Sequence, residues 1–409
     1  MSNTYFSGVR ASDATVAPPV IRVGDAGDIG IVVTAPDRDT AIVPLDRPWD
    51  IVGDFRKAEA LGVGGTALAN LTQIWSQFER TSGKISVVVV EESDDPDTQK
   101  AAVIGDATTK TGIHALLDSE ATLGIKPDLI LAPGFATANG GALADPVVGA
   151  LASVGQKMRS IAFVDGPGTT TADAVAEMEN YNQDNLVVCD PSFRSFDTVS
   201  DADVDFPLST FAAGVTARTH LDPGKGWWWS FDNKEIAGPI LGSSRPIDFR
   251  SYDAGSEATH LKGNRITTVV RKNGWRLWGG HTADAEALLG GTIVGRLVSW
   301  KVYEALEEAI FPFIGVPASF DNVPLIEGIG QKFIDDLVAK GALIRGSKLI
   351  LPREINSAQQ IADGRLFYRL YFQEAAPIRA VDIYGIRTPS LYAEFLDRNA
   401  ATDAFAAAA

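Results

Sequence analysis

Two glycine-rich stretches of this sequence have compositions found in nucleotide-binding loops. Gly62–Gly65 resembles a dinucleotide-binding loop, but no clear strand precedes it, and Ala67 stands where the third glycine is required. Gly341–Lys348 resembles a phosphate-binding loop, but its lysine follows its serine and a helical pattern precedes it. We therefore interpret the first stretch as a loop before a helix and the second as a turn into a strand.

Metal-binding and nucleophile patterns are also incomplete. Asp201, Asp203 and Asp205 have the spacing of a calcium loop, but Phe206 stands where that loop needs glycine and no glutamate closes it. This favours a solvated acidic loop. No histidine stands at a two-ligand spacing from Cys189 or from another histidine, and no Gly-x-Ser-x-Gly elbow occurs. The histidines are His114, His220, His260 and His281. The sequence thus predicts no catalytic residue, no metal site and no cofactor.

Three consecutive tryptophans, Trp227–Trp229, could stack against a base or a sugar. Adjacent aromatic side chains point in different directions, however, and Lys225 is the nearby basic residue. Packing or a partner interface explains them better.

Composition excludes several classes of protein. The chain of 409 residues has a formal net charge of −16, which argues against a nucleic-acid surface. Its single cysteine cannot form an internal disulfide. No apolar run approaches the roughly 20 residues of a membrane helix, and the N-terminus lacks a signal-peptide layout. We expect a protein made in a cytoplasm, without membrane insertion.

Apolar strand patterns alternate with helical patterns between Ile29 and about Phe211, which predicts a mostly parallel or mixed sheet covered by helices. The predicted strands are Ile29–Thr34, Ile85–Val90, Asp128–Ala132, Ile161–Asp165 and Leu186–Asp190. The predicted helices are Gly65–Phe78, Thr111–Glu120, Pro146–Met158, Thr170–Tyr181 and, within the turn-rich stretch Asp201–Pro246, Leu208–Thr219.

The C-terminal part has a different pattern. Asn273-Gly274 between two β-favouring runs predicts a hairpin. Two amphipathic helices follow, Val294–Ile310 and Leu325–Ala339, and then strands at Leu349–Leu351 and Leu366–Gln373. The buried faces are predicted to carry Val298, Val302, Leu306 and Ile310 in the first helix, and Ile326, Ile329, Phe333 and Leu337 in the second.

The fold class is therefore α/β plus α+β, a multidomain chain with a mixed sheet covered by helices and extended N- and C-terminal β arms. We place an N-terminal arm at residues 1–23 and an α/β domain with a turn-rich outer part at 24–255. A C-terminal α+β assembly domain follows at 256–377, and a C-terminal arm and tail at 378–409.

In its order of motifs the chain resembles the contractile tail sheath protein of myovirus bacteriophages, in the compact branch shared with phage-tail-like bacteriocins. The resemblance covers nearly the whole chain, and its most specific motifs are Pro127–Phe135 (PDLILAPGF) and Asn273–Gly279 (NGWRLWG). Related chains are more polar at Trp228 and Trp229. The other matching pieces are Gly8–Arg10, Ile29–Pro36, Ile161–Asp165, Leu186–Pro191, Ala213–Arg218, Gly226–Trp227, Ile236–Gly238 and Ile326–Ile329.

The resemblance implies a structural protein without enzymatic activity, polymerised as a helical stack of rings around an inner tail tube in the virion tail. The implied partners are further copies of the chain, the inner tube protein, and the baseplate and tail terminator proteins, with no direct nucleic-acid contact. Both chain ends would add strands to neighbouring subunits, and contraction would drive the tube through the host envelope.

Two sets of residues follow as hypotheses from the resemblance. The arm strands shared between subunits would contain Val9, Arg10, Val20, Ile21, Val381, Ile383 and Tyr384. The polar face of the second helix, with Lys332, Asp335 and Asp336, would contact the inner tube, although ordinary solvation explains such a face equally well. The alternatives are the sheath of a bacteriocin or other contractile injection system, and an α/β enzyme whose site is assembled from distant residues.

Overall fold

The computed structural model describes residues 24, 26–77, 83–135, 144–198, 200–285, 291–319, 321–393 and 396. The chain divides into two compact units, Met1–Ala376 and Pro377–Ala409.

An eight-stranded mixed sheet forms the centre of the first unit. Its strands are β1 (Ile29–Thr34), β2 (Pro48–Val52), β3 (Lys84–Val90), β4 (Leu129–Leu131), β5 (Ile161–Asp165), β6 (Leu186–Cys189), β10 (Ile266–Arg271) and β11 (Trp275–Trp278). They lie in the order β11-β10-β6-β5-β4-β1-β3-β2. The inner strands from β10 to β3 are parallel, and the edge strands β2 and β11 pair antiparallel.

Two smaller sheets complete the strand inventory of the described residues. The first contains β7 (Phe193–Asp197), β8 (Ala202–Phe206) and β9 (Ile240–Ser243) in the order β8-β7-β9. The second pairs β12 (Lys348–Ile350) with β13 (Arg369–Tyr371) in antiparallel orientation.

Helices pack on both faces of the large sheet, and the described residues contain ten α-helices in all. They are α1 (Ala67–Gln77), α2 (Pro96–Ile104), α3 (Ser119–Leu123), α4 (Pro146–Met158), α5 (Thr171–Met178), α6 (Leu208–Leu221), α7 (Glu257–Gly263), α8 (Ile293–Ile310), α9 (Asn322–Ala339) and α10 (Ala358–Ala362).

The alternating side chains of the inner strands supply two separate cores, which is why these strands are almost wholly apolar. In β1, Ile31 and Val33 belong to the core that includes residues of α1, α6 and α8, whereas Val32 belongs to the core that includes residues of α4 and α5. Every residue of β1 is buried. Burial on both faces thus explains the continuous apolar run that the sequence shows.

The predicted hairpin is confirmed as β10 and β11, joined by Lys272, Asn273 and Gly274, and the φ angles of Asn273 and Gly274 are +51° and +99°. Asn and Gly are the residues that adopt this conformation most readily. Although the sequence analysis assigns this hairpin to residues 256–377, its strand β10 pairs with β6 in the large sheet. The domain boundaries themselves stay a prediction.

Several elements differ from the sequence prediction. The predicted helix Thr111–Glu120 is a 3-10 helix, Gly112–Asp118, followed by the short α3. The predicted strand Leu366–Gln373 is reduced to β13, which pairs with the three-residue β12. The sequence analysis also missed β2, β7, β8 and β9, which are short and only partly buried.

The second unit was predicted to be extended. Residues 377–388 have no assigned helix or strand, and a helical turn follows at 391–393.

Candidate assembly surfaces

The carboxyl edge of the parallel strands is the usual ligand-binding position in α/β sheets, and Asp165 lies there at the end of β5. Its carboxylate accepts hydrogen bonds from the backbone N–H of Ser209 (2.9 Å) and from the Ser209 hydroxyl (2.7 Å). The helix α6 begins at this point, and its N-cap Pro207 makes no side-chain capping bond. Asp165 therefore caps α6 from a distant part of the chain.

The neighbouring strand β6 leads into Asp190, whose side chain is fully buried. The carboxylate accepts a hydrogen bond from Gly168 N–H (2.7 Å) and pairs with Arg245 at 2.6 Å. Arg245 also pairs with Glu257 at 2.6 Å. Burial raises the pKa of Asp190, and the Arg245 guanidinium partly offsets that effect. The acidic groups at this edge are thus engaged with the protein's own donors, an arrangement that stabilises the loops after β5 and β6.

The buried position of Asp165 gives a testable pH dependence. Burial raises its pKa to about 6, above the ordinary value of 3.8, so the folded state holds this proton more tightly than the unfolded state. This group therefore lowers stability as pH rises from 4 to 7, by about 3 kcal/mol in total. We expect the unfolding free energy of wild type minus that of Asp165→Asn to fall over this range in urea titrations. A difference that stays constant or rises would contradict the assignment.

The glycine-rich stretches have structural roles. Gly65 precedes α1 with φ of +74°, and a Cβ there would approach the Thr34 carbonyl oxygen at 2.5 Å. Gly64 N–H donates to the Asp37 carboxylate at 3.0 Å. These contacts make Gly62–Gly65 a tight loop against the end of β1, as interpreted from the sequence. Gly341–Lys348 likewise leads from the end of α9 into β12.

The acidic stretch at Asp201–Asp205 is not a loop, which corrects the sequence interpretation. Asp203 and Asp205 lie on strand β8, and Asp205 forms a cross-strand ion pair with Arg194 of β7 at 2.7 Å. The carboxylates are exposed, so the strand pattern was hidden by its polar composition.

His220 and the three consecutive tryptophans have packing roles. His220 is buried between the carbonyl oxygens of Ala26 (2.8 Å) and Trp229 (3.2 Å), and burial lowers its pKa to about 4. Trp227 is buried and meets Trp228 edge to face, whereas Trp229 is partly exposed beneath Lys234. The adjacent tryptophans thus do diverge, as predicted.

Helix α8 is anchored to the large sheet by charged side chains that the sequence analysis missed. Lys301 pairs with Asp128, directly before β4, at 2.6 Å, and both side chains are buried. Burial alone would lower the pKa of Lys301, but the carboxylates of Asp128 and Glu304 raise it above its ordinary value. Arg159, after α4, binds Glu307 of α8 at 2.7 Å. The helix is therefore fixed to the sheet at several points.

Large apolar and aromatic side chains are exposed in and beside the two-stranded sheet of β12 and β13, among them Ile344, Phe367 and Tyr371. An open cleft of 570 Å³ beside it is lined by residues that include Tyr303, Ile344 and Tyr371. Two-stranded sheets are marginally stable in water. Within the described residues, each of these strands pairs only with the other. The N–H of Leu349, in the middle of β12, donates to the Gln331 side chain of α9 at 2.9 Å, so β13 is the strand with an edge available for a further strand.

The predicted site residues fall into three groups. Lys332, Asp335 and Asp336 are exposed on α9, opposite its buried face of Ile326, Ile329, Phe333 and Leu337. Val381, Ile383 and Tyr384 lie in the second unit, and their side chains are 73%, 88% and 88% exposed. Val9, Arg10, Val20 and Ile21 lie outside the described residues.

In the part of the chain that the structure describes, no helix is long and apolar enough to cross a membrane.

The chain is similar in sequence to tail sheath proteins of a phage and a prophage. No protein-family model matches the chain. A prophage major tail sheath protein of Pseudomonas aeruginosa is 29% identical over 381 residues, which is 91% of this chain and 94% of the relative. The tail sheath protein of Escherichia phage P2 is 28% identical over 388 residues, covering 91% of this chain and 93% of the relative.

Solved structures share the fold. The sheath complex of an extracellular contractile injection system, in its contracted state, superimposes with a TM-score of 0.69 at 14% identity, over 96% of this chain and all of that one. The baseplate structure of the anti-feeding prophage contains a chain with a TM-score of 0.65 at 16% identity, over 94% of this chain and 99% of that one.

Proposed function

We infer that this chain, which belongs to the contractile tail sheath proteins, polymerises as a helical sheath around an inner tail tube and contracts to drive that tube through the host envelope. The observation that carries the proposal is the similarity to phage tail sheath proteins over more than nine-tenths of the lengths of the first two relatives. A structural subunit of this kind needs no chemistry of its own, which fits the engagement of Asp165 and Asp190 in the fold.

Strand exchange between subunits would hold the polymer together. The unpaired edge of β13 and the exposed apolar side chains of Val381, Ile383 and Tyr384 support it. Adding strands from neighbouring arms would satisfy the edge N–H and C=O groups and cover the cleft beside Tyr371. Arms of this kind would keep subunits linked while the bodies slide past one another.

The anchored helix α8 supports movement of each subunit body as a unit. Its ion pairs to Asp128 and Arg159 fix it to the large sheet. Rearrangement during contraction would then take place at the interfaces between subunits. New contacts formed there would supply the energy, without a nucleotide.

The exposed face of α9 is proposed to contact the inner tube. Reversing its charges with Lys332→Glu and Asp335→Lys is expected to reduce tube binding by about tenfold or more, because several charge pairs would become repulsive. Co-sedimentation of purified sheath with tubes measures this. Glu120→Lys, an exposed reversal on α3, is the control, and unchanged tube binding by the α9 variant would show that solvation alone explains the face.

A phage tail is favoured over a bacteriocin or injection system. The relatives matched over most of their length are tail sheath proteins of phages and a prophage. The likeness to injection-system chains is at 14% and 16% identity and concerns the fold. We accordingly place the protein in the virion tail, after synthesis in the host cytoplasm, bounded by baseplate and tail terminator proteins.

Electron microscopy of the purified protein, and of tails assembled with tube protein, tests the proposal. Hollow tubes or contracted cylinders are the expected result. Discrete particles under all assembly conditions would refute it and would favour an enzyme with an unrecognised site.

A further inference from the structure

The two-stranded sheet is surrounded by positive charge in an otherwise acidic chain. Between Lys340 and Tyr371 there are six basic and two acidic residues, a net charge of +4, whereas the whole chain carries −16. All six basic residues are exposed. We define the basic face as Arg345, Lys348, Arg353, Arg365 and Arg369.

Contacts within the sheet bring these residues together. Lys348 lies over the ring of Tyr371, 5.6 Å from its centroid, and Arg369 donates to the Tyr371 hydroxyl at 3.2 Å. Asn356 bonds to the backbone of Phe367 in both directions, which holds the segment after Arg353 beside the segment after Arg365. Among the described residues, the carboxylates that form ion pairs do so with basic residues outside this face.

The complementary surface is an acidic run directly after β3. The sequence from Glu91 to Asp97 (EESDDPD) contains five acidic residues, and all five are exposed. Asp95 caps α2 by accepting from Thr98 N–H at 2.9 Å, and Glu92 accepts from the Thr34 hydroxyl. The remaining carboxylates, on Glu91, Asp94 and Asp97, face solvent. We call this stretch the acidic run.

We propose that the basic face of one subunit docks on the acidic run of a second copy of the chain. The two surfaces are opposite in charge and both exposed, and within the described residues of one copy no ion pair joins them. Subunits of net charge −16 repel one another, and a positive patch on one side of a contact reduces that repulsion. The basic face supplies such a patch.

The geometry of this pairing suits an open polymer. The two surfaces lie on different elements of one compact unit. When a subunit offers its basic face to one neighbour and its acidic run to another, the contact is heterologous, and heterologous contacts build rings or helices. This inference rests on the proposed sheath function, since it names one interface of that polymer. Single exposed ion pairs contribute little, but facing clusters of several charges direct association and fix its register.

Two triple variants test the pairing. Arg345→Glu, Arg353→Glu and Arg365→Glu, all outside the strands, change the summed charge of the basic face from +5 to −1. Glu91→Lys, Asp94→Lys and Asp97→Lys change that of the acidic run from −5 to +1 without touching the cap Asp95. Each variant alone presents two surfaces of like charge, so we expect neither to associate. An equimolar mixture presents opposite charges at every contact, so we expect alternating polymers. Arg47→Glu with Lys157→Glu, both exposed elsewhere, is the control and should associate like wild type.

Sedimentation velocity and electron microscopy provide the readouts, with circular dichroism to verify folding. We expect the mixture to associate at least about tenfold more tightly than either variant alone, and to dissociate as salt rises from about 0.05 to 0.5 M. Normal association of the variant with the reversed basic face would overturn the proposal. The same holds if that variant associates normally and loses only binding to the tube or to nucleic acid. Failure of the folded mixture to associate would overturn it too.

The proposed function is tested separately by wild type in the same experiment. Wild type that forms no tubes would count against the sheath, whereas stronger sedimentation of the mixture than of either variant still reports the contact between copies.

Discussion

Removal of residues 1–20 is expected to yield a folded monomer that no longer polymerises into tubes. The first strand of the described fold begins at Ile29, and its buried core begins at Ala26, so the body keeps its strands and helices. The lost arm carries the β-favouring residues that are proposed to pair with a neighbour's sheet. Without it, the edge of β13 in each neighbour stays open.

The measurement combines circular dichroism and thermal unfolding with electron microscopy of assembly reactions. A truncation of residues 401–409, of which six of the nine are alanine, is the control at the other chain end and should assemble. Normal tubes formed by the N-terminal deletion would show that the arm is dispensable.

Replacing Lys301 with methionine is expected to destabilise the subunit by about 3–5 kcal/mol, because the buried carboxylate of Asp128 would lose its positive partner. Asp128→Asn should have a similar effect by leaving the ammonium group of Lys301 unpaired. Urea unfolding followed by tryptophan fluorescence gives both values.

The double variant Lys301→Met with Asp128→Leu separates the pair from its surroundings. Since it removes both buried charges and keeps apolar volume, its stability should return to within about 1–2 kcal/mol of wild type. Additive losses in the double variant would mean that the two charges are not coupled. Because this ion pair fixes α8 to the large sheet, the single variants should also weaken tube assembly.

The elements predicted most accurately from the sequence are those whose apolar pattern fits only one type of secondary structure. Strands β1 and β5 and helix α4 have the predicted bounds, because β1 and β5 are buried on both faces and α4 has a capping Asp145 followed by Pro146. The buried face of α9 was also predicted correctly, since Ile326, Ile329, Phe333 and Leu337 recur at helical spacing.

Prediction failed where local patterns are weak or contacts are distant in sequence. Strand β8 reads as a solvated acidic loop because alternating carboxylates face solvent on an edge strand. The Lys301–Asp128 pair joins residues far apart in the chain, and Lys301 lies among apolar residues of α8 without a nearby sequence signal. The candidate arm residues after Pro377 are exposed. Their apolar types are equally common in buried strands, so the sequence did not predict that exposure.

The sequence alone was sufficient to predict an α/β core, a hairpin at Asn273-Gly274, two amphipathic helices and resemblance to a sheath family. These depend on periodicity and turn chemistry, which are local properties of the chain. The tertiary structure decided which charges are buried and paired, that the hairpin extends the large sheet, and that basic residues spread from Arg345 to Arg369 surround one small sheet. Those properties arise from contacts between residues distant in sequence, so local sequence patterns do not predict them.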